Sequence, residues 1–181
     1  LPIFTGLRIG LSTAKGLAQS LNIPLVTVST LDVLAAASVR PGFVTAPLLD
    51  AKQRHIYVAF YAGHHRDDDV QPLSGYLALK PEQVAVQAKE LTGGNRLAVC
   101  GDGATLCREY FDLEGLAVLE LPSWYNLPRA SILGRLAARR LAAGQVQDVA
   151  AAQPLYVRRA AAELAREARR AEEAEGNAST P

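Results

Sequence analysis

The chain has 181 residues, of which 49% are apolar and 20% are charged, and its formal net charge at pH 7 is +1. This length is sufficient for one large domain or two small ones with a hydrophobic core. The balanced charge argues against a dedicated nucleic-acid binder, which usually carries a strong basic excess, and no apolar run approaches the roughly 20 residues of a transmembrane helix.

Two further observations concern the state of the chain. Cys100 and Cys107 form neither a disulfide framework nor a zinc motif, so we expect both thiols to be reduced and partly buried, as in a cytoplasmic protein. The sequence contains no methionine and begins Leu1-Pro2, directly before a predicted helix. We therefore expect a fragment whose true N-terminus lies upstream.

The first predicted unit consists of a helix, a strand and a second helix. Thr5 is the expected cap of the first helix, Asn22 its expected end, and Thr30 the expected cap of the second helix. Apolar residues three and four apart support the first helix, and a β-branched run supports the strand. The predicted elements are a helix over residues 5–21, a strand over 25–29 and a helix over 31–38.

A different order begins at residue 44. Apolar and aromatic runs separated by polar turns predict three strands, after which helical periodicity alternates with short buried strands. Pro81 stands at the first position of a helix, where its missing N–H is tolerated. The predicted elements are strands 44–49 and 56–61 joined by a hairpin at 50–55, strand 76–79, helix 81–91, strand 96–100, helix 105–111, strand 117–121 and helix 130–143.

This order indicates an α/β protein with a ribonuclease H-like layer. A strand meander followed by alternating helices and strands is typical of that layer, and the first unit matches the second half of another copy. We therefore predict a duplicated fold whose first half is incomplete. The predicted domains are residues 1–42, which complete a first subdomain, residues 43–159, which form a second, and residues 160–181, a charged helix with a disordered tail.

The first helix is the most informative stretch, because it contains Gly6, Gly10 and Gly16. Glycine costs up to about 1 kcal/mol relative to alanine inside a helix, so its repeated use indicates the close approach of another group. An anion at the helix N-terminus, beside Thr5, accounts for Gly6 alone. Close packing of another helix accounts for all three glycines, whether that helix belongs to the same domain or to another subunit.

Several segments resemble the bacterial TsaB (YeaZ) family. They are Phe4 to Gly10 and residues 14–18, 23–26, 29–31, 49–51 and 154–158. The resemblance extends over most of the chain, to about Arg159. One departure is that Leu1-Pro2-Ile3 stands where the family usually has Gly-Pro-Gly-Ser before Phe-Thr-Gly.

The resemblance implies an actin-like ATPase fold of two ribonuclease H-like halves and a non-catalytic role. Family members assist the catalytic paralogue TsaD and the ATPase subunit TsaE in making threonylcarbamoyladenosine next to the anticodon (position 37) of tRNAs that read codons starting with A. This chain is accordingly expected to be a scaffold that forms a heterodimer with TsaD, meets tRNA indirectly, and leaves ATP and metal to its partners. A homodimer of the isolated chain stays open.

The resemblance also places the expected partner interface on the first helix. That interface comprises Thr5, Gly6, Leu7, Ile9, Gly10, Thr13, Ala14 and Leu17. Part of the same helix is expected to serve the core of its own domain, through Leu7, Leu11, Leu17 and Leu21.

The residues themselves argue against a phosphate site at the first hairpin. ATP-binding turns in this superfamily use glycine and hydroxyl residues, so that backbone N–H groups can approach a phosphate. The turn after Asp50 has long side chains and no glycine, so Asp50 is expected to cap the turn rather than to bind magnesium. Gly101, Asp102 and Gly103 stand where an adenosine turn would lie, although a tight strand-to-helix turn is favoured. These four residues are the candidate vestigial nucleotide positions.

We predict no metal site, no bound cofactor and no catalytic residue in this chain. His64 and His65 are adjacent in a polar loop and His55 is remote from them in sequence, whereas metal-binding histidines need side chains that converge. Ser12 lacks the G-x-S-x-G context of a hydrolase nucleophile. The rival functions are an active ATPase or kinase of the same fold and a peptidase-like hydrolase.

Overall fold

The computed structural model describes residues 3–63, 70–155 and 157, with the backbone alone at residues 3 and 4. The polar loop at 64–69, which contains His64 and His65, lies outside the described residues. So do the predicted helix and tail after Arg159. Within the described part, no helix has the length and apolar character needed to cross a membrane.

The first two elements of the chain are helices, joined by a mostly irregular segment. Helix α1 spans Ile3–Leu21 and helix α2 spans Thr30–Ser38. Asn22 ends α1 in the left-handed conformation, with φ of 52°, and this confirms the predicted C-terminal cap.

Two predictions for this connection are wrong. Residues 25–29 do not form a strand: in the part of the chain that is described, Leu25 alone makes a β-bridge, with Gln147. A strand requires a neighbour along its length to pair its backbone groups. The cap of α2 is Ser29 rather than Thr30, because the Ser29 hydroxyl accepts the N–H of the second helical residue at 3.2 Å.

Seven strands of the described chain form one sheet. They are β1 (Phe43–Asp50), β2 (Ile56–Val58), β3 (Tyr61–Ala62), β4 (Gln71–Pro72), β5 (Leu77–Leu79), β6 (Arg96–Cys100) and β7 (Val118–Glu120). β1 is central: it pairs in parallel with β6, which pairs in parallel with β7. On its other side β1 pairs antiparallel with β2 and β3, and these pair antiparallel with β5 and β4. This order confirms the predicted ribonuclease H-like layer, while the domain division at residue 42 stays a prediction.

The antiparallel strands are each divided in two. β2 and β3 keep one register on β1, and the gap between them lies opposite Pro47, which has no N–H to donate to the ladder. Leu77 pairs with Val58, and Pro72 pairs with Tyr61. The outer strand therefore advances five residues where the inner strand advances three. The two extra residues form a bulge between β4 and β5 that redirects the chain there.

Helices cover both faces of the sheet. The remaining helices are α3 (Pro81–Thr92), α4 (Ala104–Leu113) and α5 (Ala130–Ala142), with a 3₁₀ turn at Ser123–Asn126. Alternate residues of β1, Val44, Ala46 and Leu48, pack in one cluster with α3 and α4. On the other face α2 packs against β3 and α5. Both predicted free thiols, Cys100 and Cys107, are buried and unbridged.

We predict that Gly101→Ala destabilises this fold. A Cβ at Gly101, where φ is 99°, would overlap the backbone carbonyl of Leu48 in β1, so β1 and the turn must separate at a cost of roughly 2–3 kcal/mol. The matched control is Gly134→Ala in α5, where a Cβ meets no atom within 4 Å and helix propensity gains up to about 1 kcal/mol. Urea unfolding measures both variants, and equal free energies of unfolding would contradict the prediction.

Candidate functional site

Helix α1 is attached to the rest of the described structure along one side of its C-terminal half. Ala18 is buried there, and Lys15 Nζ donates hydrogen bonds to the carbonyl oxygens of Ala150 and Ala152, both at 2.9 Å. The bridge between Leu25 and Gln147 holds the chain just beyond α1 to the same segment. The position of α1 therefore depends on residues 147–152.

Most of the predicted interface lies on the opposite side of α1, whereas Leu7 and Ala14 lie within about 40° of the buried Ala18 around the helix. At about 100° per residue, Gly10 and Thr13 lie roughly 140–160° around the helix from Lys15. A Cβ added at Gly6, Gly10 or Gly16 would meet no atom within 4 Å. In this structure, packing inside the described part of the chain therefore does not explain the three glycines.

This open face is flat and largely apolar. The side chains of Ile9 and Leu17 on this face are 63% and 55% exposed, and Leu7, nearer to the Ala18 side of the helix, is 49% exposed. Thr13 is exposed too, but its hydroxyl donates to the Ile9 carbonyl at 2.9 Å, so covering it leaves no donor unpaired. Of the predicted interface residues with described side chains, Ala14 alone is half-buried; the rest, Thr5, Gly6, Leu7, Ile9, Gly10, Thr13 and Leu17, are exposed.

The expectation that α1 leucines also serve the domain core is wrong for three of them. Leu7, Leu17 and Leu21 are each about half exposed or more, and Leu11 is half-buried. The residue of α1 that enters the packed interior is Ala18. The periodicity of the leucines identified the helix, but it did not identify which side of the helix is covered.

The candidate nucleotide positions are brought together at the carboxyl ends of the parallel strands β1 and β6. Asp102 Oδ1 accepts the backbone N–H of Asp50 at 3.0 Å. The N–H of Gly101 donates to Asn126 Oδ1 at 2.7 Å, and the N–H of Gly103 donates to the Leu48 carbonyl at 2.9 Å. Because these N–H groups already donate hydrogen bonds within the protein, they are not free to bind a phosphate. This favours a tight strand-to-helix turn over a phosphate-binding loop. Nucleotide binding at these positions stays a prediction.

Asp50 caps the hairpin, as its position in the sequence predicts. Its carboxylate accepts the Lys52 N–H at 2.8 Å and the Lys52 ammonium at 2.6 Å. These hydrogen bonds from Lys52, the ammonium first, lower the pKa of the Asp50 carboxyl. Lys52, Gln53 and Arg54 all have φ between 51° and 62°, a left-handed run that non-glycine residues rarely adopt. His55 Nδ1 lies 2.8 Å from the Gln53 carbonyl, within the same turn.

A buried cluster that sequence reasoning missed is centred on Asp32 of α2, which is 5% exposed. Tyr61 of β3 and Tyr76 of the bulge donate their hydroxyls to its two oxygens, each at 2.8 Å. Arg140 of α5 donates to Asp32 at 2.7 Å and to the Thr27 carbonyl at 2.9 Å. The sole signal in the sequence is an aspartate in an otherwise apolar helix, and its partners are 29 to 108 residues away.

Burial is the first cause that raises the pKa of both tyrosines in this cluster, and the Asp32 charge adds to it. The hydroxyls therefore stay protonated donors. A carboxylate with charge-assisted bonds from three side chains tolerates burial that an unpaired charge would not.

In the described residues, no group of three potential ligands is arranged to hold a metal ion. Ser12 lies exposed within α1.

The chain matches known proteins in sequence. Residues 3–166 match the family model described as TsaD: tRNA N6-adenosine threonylcarbamoyltransferase. The tRNA threonylcarbamoyladenosine biosynthesis protein TsaB of Escherichia coli (strain K12) is 30% identical over 159 residues, which are 86% of this chain and 66% of that protein. The protein of the same name from Bacillus subtilis (strain 168) is 41% identical over 58 residues, 32% of this chain and 25% of that protein. The chain thus spans less than the full length of both relatives.

Solved structures from Pseudomonas aeruginosa are similar as well. YeaZ has a TM-score of 0.65 and 26% identity, over 84% of this chain and 68% of that chain. An uncharacterized protein with similarity to peptidase YEAZ has a TM-score of 0.65 and 25% identity, over 86% of this chain and 68% of that chain. These similarities agree with the actin-like, ribonuclease H-like fold.

We predict that Lys15→Met loosens α1 while the sheet keeps its stability. The substitution removes both hydrogen bonds from Lys15 to the 150–152 carbonyls and retains a long apolar stem. Hydrogen exchange should become at least about tenfold faster in the C-terminal half of α1 than in the wild type, which corresponds to about 1.4 kcal/mol. The control is Lys89→Met, which removes an exposed lysine paired with Glu114 at 2.9 Å. Unchanged exchange in α1 would contradict the anchoring role.

We also predict that the Asp32 cluster makes stability fall at alkaline pH. Because the folded pKa of Tyr61 and Tyr76 is raised above the unfolded value of about 10, their contribution is complete below pH 10 and is lost as the pH rises beyond it. Tyr76→Phe removes one of these groups, so its free energy of unfolding should fall less steeply above pH 10. Parallel curves for the two proteins, followed by denaturant unfolding from pH 8 upward, would show that Tyr76 does not contribute.

Proposed function

Because this chain belongs to the TsaB (YeaZ) family, we propose that it is a non-catalytic scaffold in the synthesis of threonylcarbamoyladenosine on tRNA. In this role it binds the catalytic paralogue TsaD through α1 and holds it in an active arrangement. The modified adenosine is the one next to the anticodon, in tRNAs that read codons starting with A. The E. coli and B. subtilis relatives take their names from this biosynthesis.

The observation that carries the proposal is the open small-residue face of α1. Glycines at positions 6 and 10 leave space for the backbone of another helix, since a Cβ at either would meet no atom within 4 Å. Close backbone approach is what small residues at a helix contact permit. The exposed Leu7, Ile9 and Leu17 border this flat strip. Because about half of each side chain is already covered, full burial by a partner gains roughly 1–2 kcal/mol for each.

The attachment of α1 fits the same role. Lys15 and Ala18 hold one side of the helix to the protein, while the glycine side faces away. A helix fixed along one side presents a preformed surface, so little ordering is needed when a partner binds. A paralogue of the same fold would supply a helix of matching shape.

The absence of catalysis is supported by the nucleotide-like turn. The N–H groups of Gly101 and Gly103 and the Asp50 carboxylate are all used within the protein. We propose that ATP and metal are bound by TsaD and TsaE, and that tRNA meets this subunit indirectly. A peptidase-like activity gains no support from Ser12, which lies within a helix rather than at the strand-to-helix turn that such nucleophiles occupy. The two unbridged cysteines support a cytoplasmic protein.

The test of this proposal is Gly10→Leu in the complete protein, co-expressed with its own tagged TsaD. A Cβ at Gly10 meets no atom within 4 Å, so we expect the fold to be retained, while the larger side chain occupies the space that a partner helix needs. Recovery of this chain with TsaD should fall at least about tenfold, equivalent to about 1.4 kcal/mol.

The matched control is Gly134→Leu, which introduces the same side chain at an equally open helical glycine of α5. Circular dichroism verifies that both variants fold. If Gly10→Leu and Gly134→Leu are recovered with TsaD in equal amounts, α1 is not the interface. If the wild type itself fails to bind TsaD, the scaffold function is wrong.

A further inference from the structure

A cleft of about 460 Å³ lies on the side of the sheet covered by α5. Its walls come from the C-terminal half of α5, from β3 and β4, and from the bulge between β4 and β5. This volume falls within the range of about 300–1,000 Å³ that is usual for small-molecule sites. The cleft is separate from the turn that contains Gly101 and Asp102, and none of the α1 residues lines it.

The lining combines apolar surface with an excess of positive charge. Val70, Pro72 and Leu136 supply apolar groups. The charged lining residues are Asp32, Arg139 and Arg140, and Asp32 is paired with Arg140 at 2.7 Å. Among the described residues that line the cleft, no second carboxylate lies beside Arg139 to neutralise it, and this favours an anion.

The Asp32 cluster makes one wall of this cleft rigid. Tyr76 lies in the bulge, where its hydroxyl is held by Asp32 at 2.8 Å, yet the residue stays 37% exposed. Bulges beside binding sites commonly redirect a side chain in this way. A tyrosine fixed by its hydroxyl offers a flat ring with few rotamers left to lose on binding, and planar bases stack on such rings for about 1–3 kcal/mol.

From these features we propose that the cleft binds a nucleotide, with its phosphate paired to Arg139 and its base against the ring of Tyr76. A guanidinium suits this role because its fork of N–H donors matches two phosphate oxygens. The nucleotide is either a free mononucleotide or one unit of an RNA strand, since both present the same base and phosphate. This site is independent of the scaffold function and does not require TsaD.

The experiment is calorimetric titration of the full 181-residue chain with AMP, with adenosine and with inorganic phosphate. AMP should bind with a dissociation constant of about 1 mM or tighter, and adenosine and phosphate should each bind at least about tenfold more weakly because each lacks one of the two contacts. Absence of AMP binding at these concentrations overturns the proposal. Equal binding of phosphate and AMP also overturns it, since the ring then contributes nothing.

Variants distinguish AMP binding in the cleft from nonspecific attraction of AMP to positive charges elsewhere on the protein. Arg139→Gln should weaken AMP at least about tenfold, whereas Arg129→Gln, which removes an exposed arginine at the start of α5 outside the lining, should leave binding unchanged. Tyr76→Phe keeps the ring but loses the hydrogen bond to Asp32 that fixes it, so AMP should bind more weakly than to the wild type, while Tyr76→Leu, which has no ring, should lose binding. Equal losses for Arg139→Gln and Arg129→Gln would overturn the proposal.

The source of the nucleotide is decided by competition with an eight-nucleotide single-stranded RNA. RNA that displaces AMP from the wild type, and binds Arg139→Gln more weakly, assigns the cleft to an RNA strand. AMP binding that survives saturating RNA assigns it to a free mononucleotide. TsaD recovery measured on Arg139→Gln is expected to equal that of the wild type, so failure of the cleft proposal leaves the scaffold proposal standing.

Discussion

The buried carboxylate of Asp32 is the interaction on which the arrangement of the other elements depends. It accepts hydrogen bonds from two tyrosines and one arginine that belong to β3, to the bulge and to α5. Removing one partner of a buried charge costs about 3–5 kcal/mol, because the other charge is left uncompensated. The four elements are therefore held as a unit, although they are far apart in sequence.

The placement of α1 follows from that unit. Arg140 fixes the end of α5, and the segment directly after α5 carries the bridge at Gln147 and the two carbonyls that accept from Lys15. Because α1 is held by this segment along one side, its other side is left open over the length of the glycine strip. An exposed helix with several glycines would be poorly stabilised by propensity alone, so its anchorage is what makes it available as a surface.

Glycine serves two opposite purposes in this chain. At Gly101 and Gly103 the missing Cβ lets the turn lie against the backbone of Leu48, and the two N–H groups donate to Asn126 and to Leu48. At Gly6 and Gly10 the missing Cβ faces open space. The first pair is explained by packing within the described residues, whereas the second is not. This contrast supports a structural role for the nucleotide-like turn and a binding role for α1.

The sequence by itself determined the local structure: the positions of α1 to α5, the hairpin after β1, the order of the central strands, the capping role of Asp50 and the free state of both cysteines. Each depends on periodicity, turn chemistry or spacing among near neighbours, which a single chain displays. Tertiary structure decided what depends on distant partners. Residues 25–29 lack a neighbouring strand in the described part, so their β-branched run stays irregular. Leu7, Leu17 and Leu21 of α1 are exposed in the described structure, where Ala18 is the buried residue of this helix. The Asp32 cluster and its cleft were invisible in the sequence, because hydrogen bonds between residues up to 108 positions apart leave no periodic signal.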